Sequence, residues 1–299
     1  MSITCRAYSA EPFFTEDYLK VREFLLRINH YDLYEVNFTW TRWEWMTTHA
    51  SLDRTLLSRI GLWEDQEQLV ALATYESTLG EAFLITDPDY RYLLPEMMDY
   101  AKANLHRQHS LTLVVSDHDR IMQRIAATKG FMPTTKGDHT SIIDLDKHFE
   151  YVLPEGFRII SKADSWDWHQ YNRVMWYGFN HEGTAPTDDE TIAARKQMLS
   201  SPMILPELVL AVVSPDGEYV SHCGAWYHSL NDAAEIEPVA TDPRYRKMGL
   251  GRAVVYEALN RCAKLGAKYA LVGSSQQFYY QIGFHPHHHE SLWIRKQTE

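Results

Sequence analysis

The chain has 299 residues, 45% of them hydrophobic and 23% charged, and a formal net charge of −11. This length suits two domains of ordinary size, and the apolar share supplies cores for both, which excludes wholesale disorder. The acidic balance excludes nucleic acid as the main partner, because neutralising phosphates needs a basic face.

In chain order, the first feature is an aromatic run, Phe38, Trp40, Trp43 and Trp45. It reads as core or interface, with the wall of a pocket as the alternative. A strand-like run over 81–85 leads into Thr86-Asp87-Pro88-Asp89-Tyr90-Arg91 and then a helix-like segment, 95–105. Leu153-Pro154-Glu155-Gly156 interrupts both periodicities and sets an expected domain boundary at 150/151. A strand over 157–160 precedes a helix over 166–177, capped by Asp164 or Ser165. A loop over 181–187 and a helix over 188–199 follow. Strands are expected at 207–213, 219–228 and 234–241, separated by turns at 214–217 and at Asn231-Asp232. In the helix over 250–265, Leu250, Val254, Ala258, Cys262 and Leu265 form one apolar stripe. A strand over 269–273, a short helix over 276–282 and a strand over 291–295 close the chain. The expected fold class is mixed α/β, with a largely antiparallel central sheet flanked by helices.

The six residues from Thr86 reappear as Thr241-Asp242-Pro243-Arg244-Tyr245-Arg246, 155 positions later. Lys129-Gly130-Phe131 matches Ile282-Gly283-Phe284 at nearly the same spacing. Two ordered landmarks at one offset point to an internal duplication.

Cys5, Cys223 and Cys262 have neither disulfide-framework nor zinc spacing and suit a reducing compartment. Cys223 reads as a core thiol, since no His partner has recognisable spacing. The run His285, His287, His288, His289 lacks an accompanying cysteine, and adjacent histidines on a strand face opposite ways, so no metal is expected. The apolar runs are strand-sized and the first residues lack a signal stretch; a cytoplasmic protein with no membrane partner is the expectation.

The segment Arg246-Lys247-Met248-Gly249-Leu250-Gly251 lies between a strand and an amphipathic helix. Gly249 and Gly251 let a ligand approach the unpaired amides of the helix's first turn, where the helix dipole favours an anion. Arg246, Lys247 and Arg252 supply positive charge for phosphates. A glycine-rich turn with surface cations is the alternative reading of the same residues.

This segment is similar to the Arg/Gln-x-x-Gly-x-Gly/Ala motif of the GNAT superfamily of N-acetyltransferases. Phe278-Tyr279-Tyr280-Gln281-Ile282-Gly283-Phe284 resembles that family's Phe-Tyr-x-x-x-Gly-Phe ending. Glu237-Pro238-Val239-Ala240-Thr241-Asp242-Pro243 resembles its fourth strand running into the loop. The resemblance spans about 157–295 and implies acetyl-CoA as co-substrate, with direct acetyl transfer to the primary amine of a small molecule. It implies that Val239 and Ala240 bind the pantetheine arm, that residues 246–252 (Arg246, Lys247, Met248, Gly249, Leu250, Gly251, Arg252) and Phe278 hold the coenzyme, and that Tyr279 is the general acid. Tyr280 is the alternative acid. Glu237 is the first choice of base, with Glu235 or a water chain as alternatives. Acceptor contacts are implied for 178–186, flanked by Trp176 and Tyr177.

The pairing of copies resembles tandem GNAT proteins of the mycothiol synthase type. Domains are thus expected at 1–150 and 151–299, both like acyl-CoA N-acyltransferases. The first copy has lost its chemistry: Leu94 stands for Gly249, Glu96 for Gly251 and Ala126 for the acid. It is not expected to bind coenzyme in the same way. A non-catalytic acetyl-CoA sensor and an interaction scaffold remain as other functions for the whole chain.

Overall fold

A computed structural model describes residues 3–9, 14–31 and 37–295. The chain forms two compact units, the first of Met1–Thr47, Ser51–Thr140 and Pro286–Glu299, the second of Thr48–Ala50 and Ser141–His285.

In chain order the first unit contains β1 (Thr4–Ala7), α1 (Glu16–Tyr31), α2 (Trp40–Thr48), β2 (Gly61–Asp65), β3 (Gln68–Thr74), β4 (Glu81–Thr86), α3 (Leu94–Asn104), β5 (Thr112–Ser116) and α4 (Arg120–Thr128). Then β6 (Phe131–Asp144) leads into the second unit, with β7 (Arg158–Ser161), α5 (Trp168–Gly178), α6 (Asp189–Met198), β8 (Val209–Val213), β9 (Tyr219–Trp226), β10 (Ala233–Thr241), α7 (Leu250–Leu265), β11 (Tyr269–Val272) and α8 (Gln277–Gln281). The last strand, β12 (His285–Arg295), returns to the first unit.

The strand order is β1-β2-β3-β4-β5-β12 in the first unit and β7-β8-β9-β10-β11-β6 in the second. Neighbours are antiparallel except for one parallel pair in each, β4 with β5 and β10 with β11. The fold is therefore mixed α/β and mainly antiparallel, and the shared strand order fits the repeat in the sequence. Each unit takes its sixth strand from a segment that follows the other unit's helical run: β5 pairs with β12, and β11 pairs with residues 141–144 of β6.

In the second unit all of β8 and β9 is buried, because the sheet is covered on both faces. One face packs on α7 through Leu250, Val254, Val255, Ala258, Leu259 and Cys262. The other packs on α5 through Tyr171, Val174 and Met175. Burying a branched aliphatic side chain is worth about 1.5–3 kcal/mol, so this double layer makes the second unit's sheet a rigid support. The α7 stripe stops at Cys262: Leu265 is 43% exposed, since Gly266 ends the helix in a left-handed turn.

Three local expectations are corrected. The α5 cap is Asp167, whose carboxylate accepts from His169 N (2.8 Å) and Gln170 N (3.1 Å). Asp164 instead closes its own turn by accepting from Ser161 N (3.0 Å) and Oγ (2.7 Å). Position 150/151 lies inside the second unit rather than between units, because Phe149 is core there. Its ring centroid is 5.2 Å from that of Tyr256, and its backbone bonds Asn260 in both directions, at 2.9 and 3.0 Å. The final strand begins at His285, six residues before the expected start. Of the aromatic run, Phe38, Trp40 and Trp43 are buried in the first unit. Among the described residues no helix is long and apolar enough to cross a membrane.

Candidate functional site

The parallel pairing of β10 with β11 covers only Ala233 to Glu235, facing Tyr269 to Leu271. Past that point β10 continues to Thr241 beside β9 alone, so the two strands part and leave β10 backbone at the edge of a gap. The register with β9 shifts between Ile236 and Val239, where Pro238 has no N–H to offer a ladder. The shift changes which face follows: Ala234, Ile236 and Val239 all pack on the α7 side, and Ala240 on the α5 side. Glu235 lies before this irregularity and Glu237 within it. Glu237 is exposed and Glu235 half-buried.

At the end of β10, Asp242 caps a short turn by accepting from Arg244 N at 2.9 Å. It is 1% exposed. Arg173 of α5 and Arg244 reach it at 3.1 and 3.0 Å, and both also bond Glu218. Burial raises the Asp242 pKa, Arg173 opposes that, and Glu218 adds to it. The Asp-Pro dipeptide signals such a cap in the sequence, but the partners from α5 and from the turn before β9 are too distant along the chain to be read there.

The loop then turns through Lys247 at φ +64° and Gly249 at φ +81°, and α7 begins at Leu250. Gly249 is the N-cap and has no side chain to occupy the first-turn amides. Lys247 and Arg252 are exposed, and Met248 is 41% exposed. Gly251 is wedged: a Cβ there would lie 3.1 Å from Thr241 Oγ1 and 3.4 Å from Phe278 Cζ. Glycine loop, end of β10 and start of α8 thus meet at one spot. Arg246 differs from the other two cations, because its guanidinium bonds Thr241 O, Gly178 O and Asn180 Oδ1.

On α8, Tyr279 is 8% exposed between Phe278 and Phe284, with ring centroids at 5.1 and 5.6 Å. Burial first, then the Cys223 thiol and the Glu237 carboxylate, push its hydroxyl well above the ordinary tyrosine range, so it is protonated at neutral pH. Tyr279 and Cys223 belong to one buried cluster on the α7 side of the sheet. Tyr280 is half-buried. Cys223 is fully buried, with its thiol pKa raised first by burial and then by Cys262, which suits a core thiol and not a nucleophile.

His222, next along β9, faces α5. It is 0% exposed, with ring centroids 5.0 Å from Tyr171 and 6.2 Å from Trp166. Neither ring nitrogen completes a hydrogen bond. Burial lowers its pKa to about 4; the Leu210 carbonyl is near enough to offset part of this, and Arg195 adds to it. Nothing beyond its place in a strand singles this residue out in the sequence.

A hollow of about 470 Å³ at the start of α5 is lined by Trp166, Trp168, Ile192, Lys196 and Tyr219 among others. None of its lining residues belongs to β10, the glycine loop or α8, so this hollow is separate from the site. Among the described residues no group of three or more His, Cys, Asp or Glu is arranged to hold a metal ion.

The equivalent place in the first unit is filled. Glu96, the counterpart of Gly251, accepts from Trp63 Nε1 at 2.9 Å. Arg91, the counterpart of Arg246, is paired with Asp119. Pairing of β4 with β5 stops at Ala82 and Leu113, and beyond it Asn37 donates to the Val114 carbonyl at 2.5 Å.

Residues 164–284 match the Acetyltransferase (GNAT) family. Among solved structures the chain is similar to a GCN5-related N-acetyltransferase from Sphaerobacter thermophilus, at 16% identity over 99% of this chain and 97% of that one, TM-score 0.56. It is also similar to a tandem GNAT protein from the clavulanic acid biosynthesis pathway, at 12% identity over all of both chains, TM-score 0.60. A third likeness is to Saccharomyces cerevisiae N-myristoyltransferase with bound myristoyl-CoA, at 12% identity over 98% and 78%, TM-score 0.54. No curated protein matches the chain. At these identities the structural likeness establishes the fold.

Proposed function

Taking residues 164–284 as a GNAT acetyltransferase domain, we propose that the protein is an acetyl-CoA-dependent N-acetyltransferase acting on the primary amine of a small molecule. One observation carries the reading: a side-chain-free helix start, a parted strand pair and a protonated buried tyrosine converge within the second unit.

The coenzyme fits the residues present. The first-turn amides of α7 and the backbone of Arg246, Lys247, Met248, Gly249, Leu250 and Gly251 receive the pyrophosphate, and the Lys247 and Arg252 side chains add charge. Val239 and Ala240 offer backbone to the pantetheine arm, and Phe278 closes over Gly251. A Cβ at Gly251 would meet Thr241 Oγ1 and Phe278 Cζ at 3.1 and 3.4 Å, and a larger side chain would push them apart.

Glu237 takes a proton from the acceptor ammonium, directly or through water, leaving a neutral nitrogen to attack the thioester carbonyl. The C–N bond forms and the C–S bond breaks; the second proton that the nitrogen sheds passes through water to replace the one Tyr279 gives up, and the exposed Glu237 returns its own to solvent. Tyr279 gives its hydroxyl proton to the departing thiolate, whose conjugate acid has a pKa near 8.5. The raised pKa keeps the hydroxyl protonated and makes its transfer uphill, so Tyr279 acts first by hydrogen-bonding the sulfur as charge builds there. The 178–186 segment, flanked by Trp176 and Tyr177, faces the acceptor.

The first unit is a degenerate copy that holds no coenzyme in this mode, since Glu96 puts a carboxylate where phosphate charge would fall. The cytoplasm is its compartment.

Release of coenzyme A thiol from acetyl-CoA, screened over a panel of amines, tests the reading. Saturable release with at least one amine is expected. Coenzyme A binding without release under any amine would favour a sensor, and no binding at all would end the proposal.

A further inference from the structure

Arg246 opens the glycine loop, yet its side chain turns away toward the end of α5. Nε donates to Thr241 O at 3.1 Å, and Nη2 donates to Gly178 O at 3.0 Å and to Asn180 Oδ1 at 2.9 Å. Arginine carries five N–H donors, and three are committed here. Gly178 is the last residue of α5, so its carbonyl lies at the negative end of the helix dipole, where a cation is favoured. Asn180 has φ +59°, a conformation asparagine tolerates, and there the chain leaves the helix. Gly178 sits so near β10 that a Cβ would lie 2.6 Å from that of Ala240. Beyond Asn180, the loop is tied back to α5 by His181 N on Trp176 O at 3.1 Å, the Trp176 and His181 rings at 4.6 Å, Trp176 Nε1 on Gly183 O and Ala185 N on Tyr177 OH, each at 3.4 Å, and Asn172 Nδ2 on Pro186 O at 2.8 Å.

We propose that Arg246 is a positioning residue whose side chain serves the 179–187 loop and not the phosphates, so that filling the glycine loop orders the acceptor side. This rests on the reading of the second unit as a coenzyme A-dependent N-acyltransferase. The planar guanidinium spans three acceptors that belong to two segments. When ligand fixes the backbone of Arg246, the fork fixes Gly178 and Asn180 with it. A lysine, as a point donor on a flexible stem, does not hold three separated acceptors in one geometry.

The test uses the full chain, with Arg246→Lys and Asn180→Gly. Asn180→Gly keeps the positive φ and deletes the side chain that offers the amide oxygen. Hydrogen exchange of residues 178–187 is followed with and without coenzyme A, and coenzyme A affinity is measured by calorimetry. In the wild type, coenzyme A slows exchange in this segment. In Arg246→Lys the segment exchanges at least tenfold faster without ligand, and coenzyme A no longer slows it. Asn180→Gly moves exchange the same way by a smaller factor. A tenfold loss of affinity with wild-type exchange in 178–187 makes Arg246 a phosphate ligand and overturns the proposal. A wild type that binds no coenzyme A removes the functional reading, while the ligand-free exchange still decides the latch: unchanged exchange in Arg246→Lys overturns it.

Discussion

Replacing His222 with leucine removes a titrating ring from a site where the fold accommodates only the neutral form. The folded pKa is about 4, against an ordinary value of 6.5. Above pH 6.5 the ring is neutral in folded and unfolded chains alike. As pH falls from 6.5 toward 4, the unfolded chain takes up a proton that the folded chain refuses, so stability is lost through that window and the loss is complete below it. The linkage integral gives about 2 kcal/mol between pH 7.5 and 5, and about 3.4 kcal/mol in full, from roughly 1.4 kcal/mol per pK unit. Leucine has similar bulk and leaves no unpartnered nitrogen among Tyr171 and Trp166, so at pH 7.5 the variant is expected to match or exceed the wild type. Urea unfolding, followed by pulsed hydrogen exchange of β8 and β9 peptides, reports the second unit by itself. Contributions of all other groups cancel when the pH-induced change is compared between the two proteins. The variant should lose about 2 kcal/mol less than the wild type between pH 7.5 and 5. Equal losses would mean that His222 accepts its proton in the folded state and that its burial has been misjudged.

Tyr279→Phe keeps the ring between Phe278 and Phe284 and removes only the hydroxyl; kcat should fall roughly 10²- to 10³-fold with coenzyme A affinity within about threefold, and an unchanged kcat removes Tyr279 from the mechanism. Gly251→Val drives a branched side chain against Thr241 and Phe278; coenzyme A binding by calorimetry should weaken at least about tenfold, worth 1.4 kcal/mol or more, while Gly251→Ala stays close to wild type. Asp242→Asn leaves Arg173 and Arg244 facing a neutral amide at a buried position; unfolding of the second unit should be easier by about 3 kcal/mol, and a loss under 1 kcal/mol would show that the network is dispensable. Titration with coenzyme A should give one site per chain, and a second site of comparable affinity would contradict the filled groove of the first unit.

Much of the second unit was legible because its signals are local. The α7 stripe, the strand before it and the two glycines each follow from a few adjacent residues, and these hold the loop. Leu265 misled because a helical stripe does not announce where the sheet beneath it stops. Asp164 and Asp167 both suit a cap, and the choice went to the one whose N–H partners lie in the helix. The strand 131–144 escaped because Pro133 and Gly137 break the alternation, and its partners lie far along the chain. Arg173, Glu218 and Asp242 meet only after folding, and nothing in their spacing predicts it. Arg246 was legible as a loop cation, whereas the direction of its side chain was not.

The return of β12 to the first unit bears on how this chain comes to be folded on a ribosome. The strands β1–β5 are synthesised early, but β5 stays an open edge until residues beyond 285 have left the exit tunnel. Pairings of such sequence separation form slowly, and an open edge is a template for a wrong neighbour in the meantime. A stop just before His285 would strip a strand from the first unit while sparing the glycine loop, Glu237 and Tyr279.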